Sequence, residues 1–194
     1  MKNLLTELHL ALVATITLGV VVCGIYPVMV WVLGQGLFPI EANGSFKTRA
    51  GKIMGSDLIG QRFTDAKYFH PRPSAAGSGY DATNSGGTNL GPTSKRLVDA
   101  VKQRVLDYRA ENRLAPDVLV PADAVMASAS GLDPHISLKN AYLQAARVAR
   151  ARELSEKTVL REVAIATEDR DLGILGEARV NVLKLNIALD GILR

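Results

Sequence analysis

A long uncharged segment near the amino terminus constrains this chain more than any other feature. From Leu10 to Ile40 the sequence contains no Asp, Glu, Lys, Arg or His. The run ALVATITLGVVVCGIYPVMVWVLGQGLF exceeds the roughly 20 residues that a helix needs to cross a bilayer. A cleaved signal peptide, the alternative, has an apolar region of only about 7–15 residues that ends at a small-residue cleavage site. We therefore predict a membrane anchor over residues 1–40, with a transmembrane helix from about residue 10 to 34.

Several small or helix-breaking residues lie inside this apolar run. Pro27 predicts a kink or a loosened turn, because proline lacks the N–H that would bond to the preceding turn. Gly19, Gly24 and Gly34 leave room for close packing against other membrane helices. Cys23 is the only cysteine, so no disulfide within the chain is expected and cysteine usage does not indicate a compartment.

The remainder of the chain, residues 41–194, is polar and is predicted to form one soluble domain. It carries all of the formal net charge of +4, because Lys2 and Glu7 cancel within the first 40 residues. Its basic residues are dispersed among acidic residues, whereas a nucleic-acid interface needs them clustered on one face. We therefore expect a solvated surface and no nucleic-acid partner.

Glycine and proline divide the first part of this domain. Two short strands, Ser45–Thr48 and Lys52–Ile59, flank Gly51 and predict a hairpin close to the membrane. The stretch Tyr68–Ser94 is rich in Gly, Pro, Ser and Asn, which stop helices and strands. A loop of this length in a compact domain is usually functional or disordered. The aromatic pair at its start favours an ordered and packed loop.

Helical spacing begins at Lys95. Apolar residues recur from there at every third or fourth position, which predicts an amphipathic helix to about Asn112, with Thr93 or Ser94 as its amino-terminal cap. A short apolar strand is predicted next, at Val118–Val120.

Two further helices are predicted in the second half of the domain. Ser137 caps a helix from Leu138 to about Glu153, and Ser155 caps another that ends at about Thr167. The first of them carries a small apolar face, which includes Ala141, Tyr142, Ala145 and Val148. Its basic cluster is interpreted as a solvated helix face and consists of Arg147, Arg150 and Arg152.

The carboxyl-terminal segment VNVLKLNIALDGIL, Val180–Leu193, fits both a period of two and a helical period. Its good helix formers and its place at the end of the domain favour a helix. Together these elements predict the fold class, a single N-terminal transmembrane helix plus one mixed α/β soluble domain.

The stretch SASGLDPHIS concentrates residue types that catalytic sites use. Asp133 and His135 lie there with three serines, and His70 is a further candidate metal ligand. A nucleophile needs a base within hydrogen-bond reach, which closeness in sequence does not establish, and no recurring ligand spacing supports a metal. Gly131 permits a turn and Ser137 suits a helix cap. We interpret the stretch as a structural loop, with no catalytic and no metal residue; the competing interpretation is an independent membrane-anchored hydrolase of the cell envelope.

Two glycine-rich strings resemble nucleotide-binding sequences. GSGYDA matches the letters G-x-G-x-x-A, but the preceding strand and following helix that this fingerprint requires are missing. NSGGTNLGP can form an anion-binding nest ahead of the next helix, although tight turns are the simpler interpretation. No G-x-x-x-x-G-K-[ST] phosphate loop occurs in the chain. The residues predicted to contact a nucleotide or a partner are Ser85, Gly86, Gly87, Thr88 and Asn89.

Several strings, taken together, resemble one family. They are GSDLIGQRF, YFHPRPSA, SGGTNLGPTSKRL, ASASGLDPHIS, RVARAREL and RVNVLKLNIALD, in this order towards the carboxyl terminus. The chain thereby resembles the C subunit (KdpC) of the bacterial high-affinity potassium-transporting Kdp P-type ATPase. Small departures, such as Thr88 in place of serine and Met126 in place of threonine, are conservative in size.

The resemblance implies an accessory, non-catalytic subunit of a membrane complex. In that family a channel-like A subunit binds and conducts potassium, a P-type B subunit hydrolyses ATP, and a small F subunit supports assembly. This chain lacks the D-K-T-G-T phosphorylation sequence and has too few membrane spans for a pore, so we expect that it cannot pump alone. ATP is expected only through the ATPase subunit, and potassium is the ion that the complex transports.

Two roles are implied for such a subunit, and they require opposite topologies. In one, it is a catalytic chaperone that raises the ATP-binding affinity of the B subunit, with SGGTNLG as the contact. In the other, its soluble domain lies outside the membrane and caps the potassium entrance of the A subunit. A structural loop or partner surface is expected at Arg72, Pro73, Asp133 and His135.

The charges near the helix ends bear on topology. Only Lys2 precedes the span, whereas Lys47, Arg49 and Lys52 follow it, which favours a cytoplasmic domain by the positive-inside rule. A long domain, however, translocates largely regardless of flanking charge. With the family resemblance, we predict a single-pass protein of the bacterial cytoplasmic (inner) membrane with an extracytoplasmic soluble domain.

Overall fold

The protein consists of two units that differ in composition and in secondary structure. The computed structural model describes residues 2–49 and 51–192. The first unit comprises Met1–Phe46 and the second Lys47–Arg194. The first is built around one long apolar helix, and helices and small sheets follow it along the chain. This arrangement confirms the predicted fold class.

The long helix is composed of three consecutive segments. Helix α1, Lys2–Gly19, continues through a π-helical turn, Val20–Ile25, into α2, Tyr26–Leu37. Within the described residues, only this helix, over Asn3–Leu37, is long and apolar enough to cross a membrane. Its 35 residues correspond to about 52 Å at 1.5 Å per residue, more than the roughly 30 Å of a hydrocarbon core. The helix is therefore longer than the predicted span.

The π-helical turn ends at Ile25, two residues before Pro27. Proline at this position cannot donate to the carbonyl of Cys23, four residues earlier, and its ring crowds that carbonyl. A π-helical bulge adds one residue to the turn and relieves the crowding without ending the helix. The predicted loosening at Pro27 is confirmed.

A short helix and a hairpin follow the apolar helix. Helix α3, Pro39–Ala42, leads to strands β1, Phe46–Arg49, and β2, Lys52–Ser56. The two strands pair, and Gly51 between them has φ of +75°, which glycine adopts without strain. The predicted hairpin is confirmed, although its second strand ends three residues before the expected position.

The glycine-rich stretch Tyr68–Ser94 is ordered although it contains neither helix nor strand. Phe69 and Ala76 within it are fully buried, which confirms the prediction of a packed loop. The stretch ends at α4, Lys95–Asn112, a helix with the predicted bounds. Ser94 occupies the cap position of this helix, but its side chain makes no cap hydrogen bond.

The predicted strand at Val118–Val120 is wrong. This stretch is irregular and is followed by a short helix, α5, Ala122–Val125. Instead of bonding to a neighbouring strand, the carbonyl of Val118 accepts a hydrogen bond from the Arg109 side chain at 2.9 Å. Leu119 is 73% exposed, so this apolar run does not contribute to the core.

A three-stranded antiparallel sheet brings distant parts of the chain together. Strands β3, His135–Ser137, and β4, Thr167–Glu168, both pair with β5, Arg179–Asn181, which lies between them. The register places Glu168 opposite Arg179. Ser137 of β3 is opposite the same Arg179, so Glu168 lies on the face of the sheet that also carries His135, two residues before Ser137.

Three more helices complete the second unit: α6, Leu138–Arg152, α7, Glu156–Ile165, and α8, Val182–Ile192. Ser137 and Ser155 cap α6 and α7 as predicted, because each hydroxyl accepts a hydrogen bond from the backbone N–H three residues later. Helix α7 ends two residues earlier than predicted, since Thr167 belongs to β4. The ambiguous carboxyl-terminal segment contains both the strand β5 and the helix α8.

The core lies where α6, α7 and α8 pack against the three-stranded sheet. Its large, fully buried apolar side chains are Phe69, Ile136, Val148, Val159, Val163, Val180, Leu185 and Leu189. Ala141, Ala145 and Val148 of α6 are buried as predicted. The prediction for Tyr142 is wrong, because its side chain is 49% exposed and lies about 100° around the helix from Ala141.

The interpretation of the basic cluster on α6 as a solvated face is also wrong. Arg147 and Arg152 are each only 4% exposed, and Arg150 alone faces solvent. Arg147 donates to the backbone carbonyl of Ala66 at 2.6 Å, and Arg152 donates to that of Lys67, also at 2.6 Å. The two guanidinium groups are buried because they satisfy carbonyls that have no strand partner.

Two buried amide side chains hold the next residues of the same segment, and we call this arrangement the amide clamp. Gln144 accepts from the N–H of His70 at 2.8 Å and donates to its carbonyl at 3.1 Å. Asn186 does the same for Phe69, at 2.8 and 3.0 Å. Side chains of α6 and α8 thus supply the donor and acceptor that a neighbouring strand would otherwise provide.

Replacing Asn186 by leucine tests the amide clamp, because it removes both hydrogen bonds to Phe69 and puts an apolar side chain of similar length in place of the amide. Each buried backbone group left unpaired costs roughly 1–3 kcal/mol, so the free energy of unfolding should fall by about 2–4 kcal/mol. Urea unfolding of the full chain in detergent, followed by circular dichroism, measures this change. The control is Gln103→Leu, whose exposed amide bonds to Asp107. This change should lower the free energy of unfolding by less than about 0.5 kcal/mol. Equal effects of the two changes would contradict the clamp.

Candidate functional site

Three of the residues predicted to form a structural loop or partner surface come together at the start of β3. Arg72 and Asp133 form an ion pair, with Nη1 and Oδ2 2.9 Å apart. The other carboxylate oxygen of Asp133 accepts the backbone N–H of His135 at 2.9 Å, which closes the turn into the strand. Pro73, the fourth predicted residue, follows Arg72 and lines a separate cavity.

The imidazole of His135 extends this group to residues that sequence reasoning missed. Its Nδ1 lies 3.6 Å from Asp133 Oδ1, and its Nε2 lies 3.2 Å from Glu168 Oε2. Glu168 also pairs with Lys184 at 2.7 Å and with Arg179 at 3.4 Å. The pairing of both β3 and β4 with β5 brings these residues together, and no sequence spacing signals it. We call these residues, with Arg72, the ion-pair cluster.

The two carboxylates of the ion-pair cluster are held in their ionised forms. Burial raises the pKa of Asp133, but hydrogen bonds from His135 and Arg72 outweigh it and leave the pKa below its ordinary value. Burial also raises the pKa of Glu168, and there Lys184 leads the opposing effects that bring the pKa below its ordinary value. The two carboxylates are therefore held among three cationic side chains, those of Arg72, Arg179 and Lys184.

The serines near His135 do not form a nucleophilic site with it. Ser137 donates its hydroxyl to Asp123 at 2.9 Å while it caps α6. Ser130 accepts a backbone N–H two residues later. Both ring nitrogens of His135 face carboxylates, and no serine among the described residues bonds to its ring. The geometry gives no support to the hydrolase hypothesis.

The candidate metal ligands do not converge either. Among residues 2–49 and 51–192, no group of three His, Cys, Asp or Glu side chains is placed to hold a metal ion. His70 is separated from the ion-pair cluster and pairs instead with Glu111, with Nδ1 and Oε1 3.0 Å apart. That contact, with burial opposing it, holds the pKa of Glu111 below its ordinary value.

The glycine-rich segment Ser85–Asn89 packs against the loop that precedes β3. The N–H of Gly86 donates to the carbonyl of Ser130 at 2.9 Å, and the preceding serine side chain donates to the same carbonyl at 3.0 Å. Gly87 lies so close to Ala129 that an added Cβ would be 2.8 Å from its carbonyl oxygen. The amide of Gly86 is thus already used, and an anion would have to bind the remaining amides. Nucleotide contact at this segment stays a prediction.

Gly131 explains why the neighbouring loops can pack so closely. Its φ is +67°, and an added Cβ would lie 2.6 Å from both the nitrogen of Ala76 and the carbonyl oxygen of Gly86. Only glycine fits this turn. The string GSGYDA, Gly77–Ala82, lies in the same group of loops, with no strand before it and no helix after it. It is therefore not a dinucleotide fingerprint.

A polar cavity of about 320 Å³ lies beside the amide clamp. It is lined in part by Arg62, His70, Tyr80, Arg104, Tyr108 and Glu111. Tyr80 donates its hydroxyl to the carbonyl of Arg72 at 2.7 Å, and Tyr108 donates to Asn140 at 2.8 Å. Burial raises the pKa of Tyr80 to about 12. Both phenols are therefore protonated donors with structural partners, and residues Ser85–Asn89 do not line the cavity.

The fold and the site together define a class of protein. One helix able to span a membrane precedes a domain whose ion-pair cluster is fixed by mutual contacts. Within the described residues, this cluster includes neither a nucleophile bonded to a base nor a group able to bind a metal. A helix able to span a membrane, followed by a domain with rigidly held surface charges, is the arrangement of a membrane-associated protein.

The chain belongs to the KdpC family, described as the c chain of the K⁺-transporting ATPase, whose model matches residues 8–191. It is 54% identical over 189 residues to the potassium-transporting ATPase KdpC subunit of Mycobacterium tuberculosis, across 97% of this chain and 98% of the relative. The KdpC subunit of Koribacter versatilis is 51% identical over 190 residues, which cover 98% of this chain and 95% of the relative. The KdpC subunit of Nitratidesulfovibrio vulgaris is 53% identical over 192 residues, which cover 97% of this chain and 96% of the relative. The family resemblance read from the sequence is confirmed.

The lowered pKa values of Asp133 and Glu168 predict how stability depends on pH. Their ionised forms stabilise folding fully above the ordinary values of 3.8 and 4.5, and this contribution is lost as the pH falls through the lowered values of the folded state. The unfolding temperature should therefore drop below about pH 4.5. Asp133→Asn should be less stable than the wild type at neutral pH and nearly equal to it in strong acid.

Thermal unfolding at a series of pH values measures this dependence. Asp117→Asn is the control, because its side chain is exposed, and it should keep the wild-type profile. A difference between Asp133→Asn and the wild type that stays constant at every pH would contradict the assignment.

Proposed function

We propose that the protein is the accessory, non-catalytic subunit of an ATP-driven, high-affinity potassium uptake complex. The observation that carries this proposal is its identity of 54% with KdpC subunits over nearly the whole of both chains. The protein stabilises and assembles a channel-like A subunit and a P-type ATPase B subunit, together with a small F subunit. ATP is bound and hydrolysed by the B subunit, and potassium is the ion that the complex transports.

Co-purification tests this assignment directly. A tagged full-length chain, expressed with the subunits of its own complex and extracted in mild detergent, should retain two large membrane proteins in constant proportion. A chain with its helix residues 3–37 exchanged for an unrelated apolar helix is the control for nonspecific detergent association. An independent envelope enzyme would retain neither large protein.

We further propose that the protein lies in the bacterial cytoplasmic membrane as a single-pass subunit, with its soluble domain outside and over the potassium entrance of the A subunit. The long apolar helix supports the membrane location. Three basic residues after the helix argue for the opposite orientation, but a domain of this length translocates largely regardless of such charges. The outside position also suits a cap, because potassium enters the complex from that side.

A role as catalytic chaperone fits this topology only indirectly. ATP is cytoplasmic, so an extracytoplasmic domain raises the ATP affinity of the B subunit through the membrane helix, by coupling two distant sites. A direct contact through Ser85–Asn89 requires the opposite topology. The orientation of the domain therefore decides between the two routes.

Cysteine labelling measures the orientation. In a Cys23→Ser background, Lys157→Cys places one thiol on the exposed side of α7, and Asn3→Cys places one at the opposite end of the apolar helix as the matched control. A membrane-impermeant maleimide should label position 157 in intact cells and position 3 only after the cells are opened. The reverse pattern would place the domain inside and support direct contact of Ser85–Asn89 with the ATPase subunit.

A further inference from the structure

The connection between β4 and β5 carries the two most exposed large apolar side chains among the described residues of the second unit, and a third close to them. Leu172 is 89% exposed, Ile174 76% and Leu175 56%, and every residue from Asp169 to Glu177 is exposed. We call the three apolar residues the apolar tip. Single exposed apolar side chains are ordinary, but three within four positions form a patch of the kind that marks interaction sites.

The apolar tip is held in a defined shape rather than left loose. The backbone N–H groups of Asp171 and Leu175 each donate to the carbonyl of the other residue, both at 2.9 Å. An ion pair between Arg170 and Glu177, with nitrogen and oxygen 2.8 Å apart, closes the loop below it. The tip is therefore presented on a closed turn, which lowers the entropy lost when it binds a partner.

Leu172 is an unfavourable residue for the position that it occupies. Its φ is +56°, a conformation that suits glycine or asparagine and strains a bulky side chain. An exposed leucine that strains its own backbone adds nothing to the stability of the domain. Leu172 is therefore exposed at a backbone conformation that costs free energy, without a packing contact inside the domain that would compensate.

The charges around the apolar tip indicate what it binds. The exposed stretch Asp169–Glu177 contains three acidic residues and one basic residue, a formal charge of −2. Glu168 is not counted, because it pairs with Lys184 and Arg179 in the ion-pair cluster, and Asp171 also lies 3.5 Å from Arg179. Segments that dock on lipid headgroups are rich in Lys and Arg, because bacterial and cytoplasmic lipid surfaces are anionic. A second copy of this chain would place one acidic rim against another. Charge complementarity therefore favours a different protein, with an apolar depression rimmed by basic residues.

The apolar tip adjoins the ion-pair cluster. Glu177 and Arg179, at the base of the loop, line a cavity of about 300 Å³ together with Arg72, Asp133 and His135. The residues that sequence reasoning assigned to a loop or partner surface therefore lie beside the loop that carries the exposed apolar side chains. One continuous surface combines an apolar anchor with fixed charges, which is the composition expected of a docking site.

We propose that the apolar tip, Leu172, Ile174 and Leu175, docks the soluble domain into a basic-rimmed apolar depression on one of the large subunits of the transport complex. This inference rests on the proposed function, since it names the surface through which the subunit binds. The ion-pair cluster beside the tip sets the orientation of the docked domain.

Photo-crosslinking identifies what the apolar tip contacts. A benzophenone amino acid replaces Ile174 in the full-length chain, expressed with the other subunits, and the same substitution at Leu119 is the matched control, because Leu119 is 73% exposed on a different loop. Position 174 should crosslink to one large subunit and position 119 should not. Crosslinks from position 174 to lipid or to a second copy, or none while the large subunits co-purify, would overturn the proposal. If the large subunits do not co-purify at all, the proposed function itself fails.

A second variant separates docking from folding. Leu172→Asn removes the apolar side chain and relieves the backbone, so the unfolding temperature of the purified chain should stay the same or rise. Its dissociation from the complex should become about tenfold faster, as expected for loss of an interface anchor. Leu119→Asn should leave the dissociation rate unchanged. Equal dissociation rates for the two variants would contradict the assignment of the apolar tip.

Discussion

The structure of the second unit depends on how the segment Ala66–His70 is held. This segment forms no strand, yet Phe69 is fully buried, so its backbone groups need partners inside the protein. Arg147 and Gln144 on α6 and Asn186 on α8 supply them. Because α6 follows β3 directly and α8 follows β5 directly, the helices that hold this segment are joined to the strands that position the ion-pair cluster. Helices α6 and α8 therefore hold both the buried segment Ala66–His70 and the strands that carry the ion-pair cluster.

The sequence is sufficient for elements whose information lies within a few residues. The apolar helix, α4 and the serine caps of α6 and α7 are predicted correctly because period and cap chemistry are local. The prediction fails where a distant partner decides the outcome. Arg147 and Arg152 resemble a solvated face, since nothing in α6 signals the carbonyls that they bind 81 and 85 residues away. The predicted strand at Val118–Val120 is wrong because an apolar run forms a strand only when it pairs with another strand.

The residues of the candidate site likewise divide into those that the sequence identifies and those that it does not. Asp133 and His135 are close in sequence, so the loop that carries them can be recognised, and Arg72 is found through the family resemblance. Glu168 and Lys184 could not be found, because strands of two and three residues leave no periodic signal. The charges that complete the cluster follow from the register of β4 on β5. Glu168 and Lys184 can be identified only once the fold is known, whereas the sequence alone already shows no catalytic spacing.

A membrane anchor changes how much affinity a docking surface must supply. A domain tethered in the same bilayer as its partner meets it at a high effective concentration, so a small contact suffices. A patch of three apolar side chains would be too small to hold two freely diffusing proteins together. Fixed ion pairs beside such a patch add little affinity, but they orient the domain and reject surfaces with the wrong charge pattern. The bilayer thus keeps the two proteins at a high effective concentration, and the docking surface needs only to match the shape and charge of its partner. A rigid and partly strained tip does this better than a larger flexible one, because it loses less conformational entropy on binding.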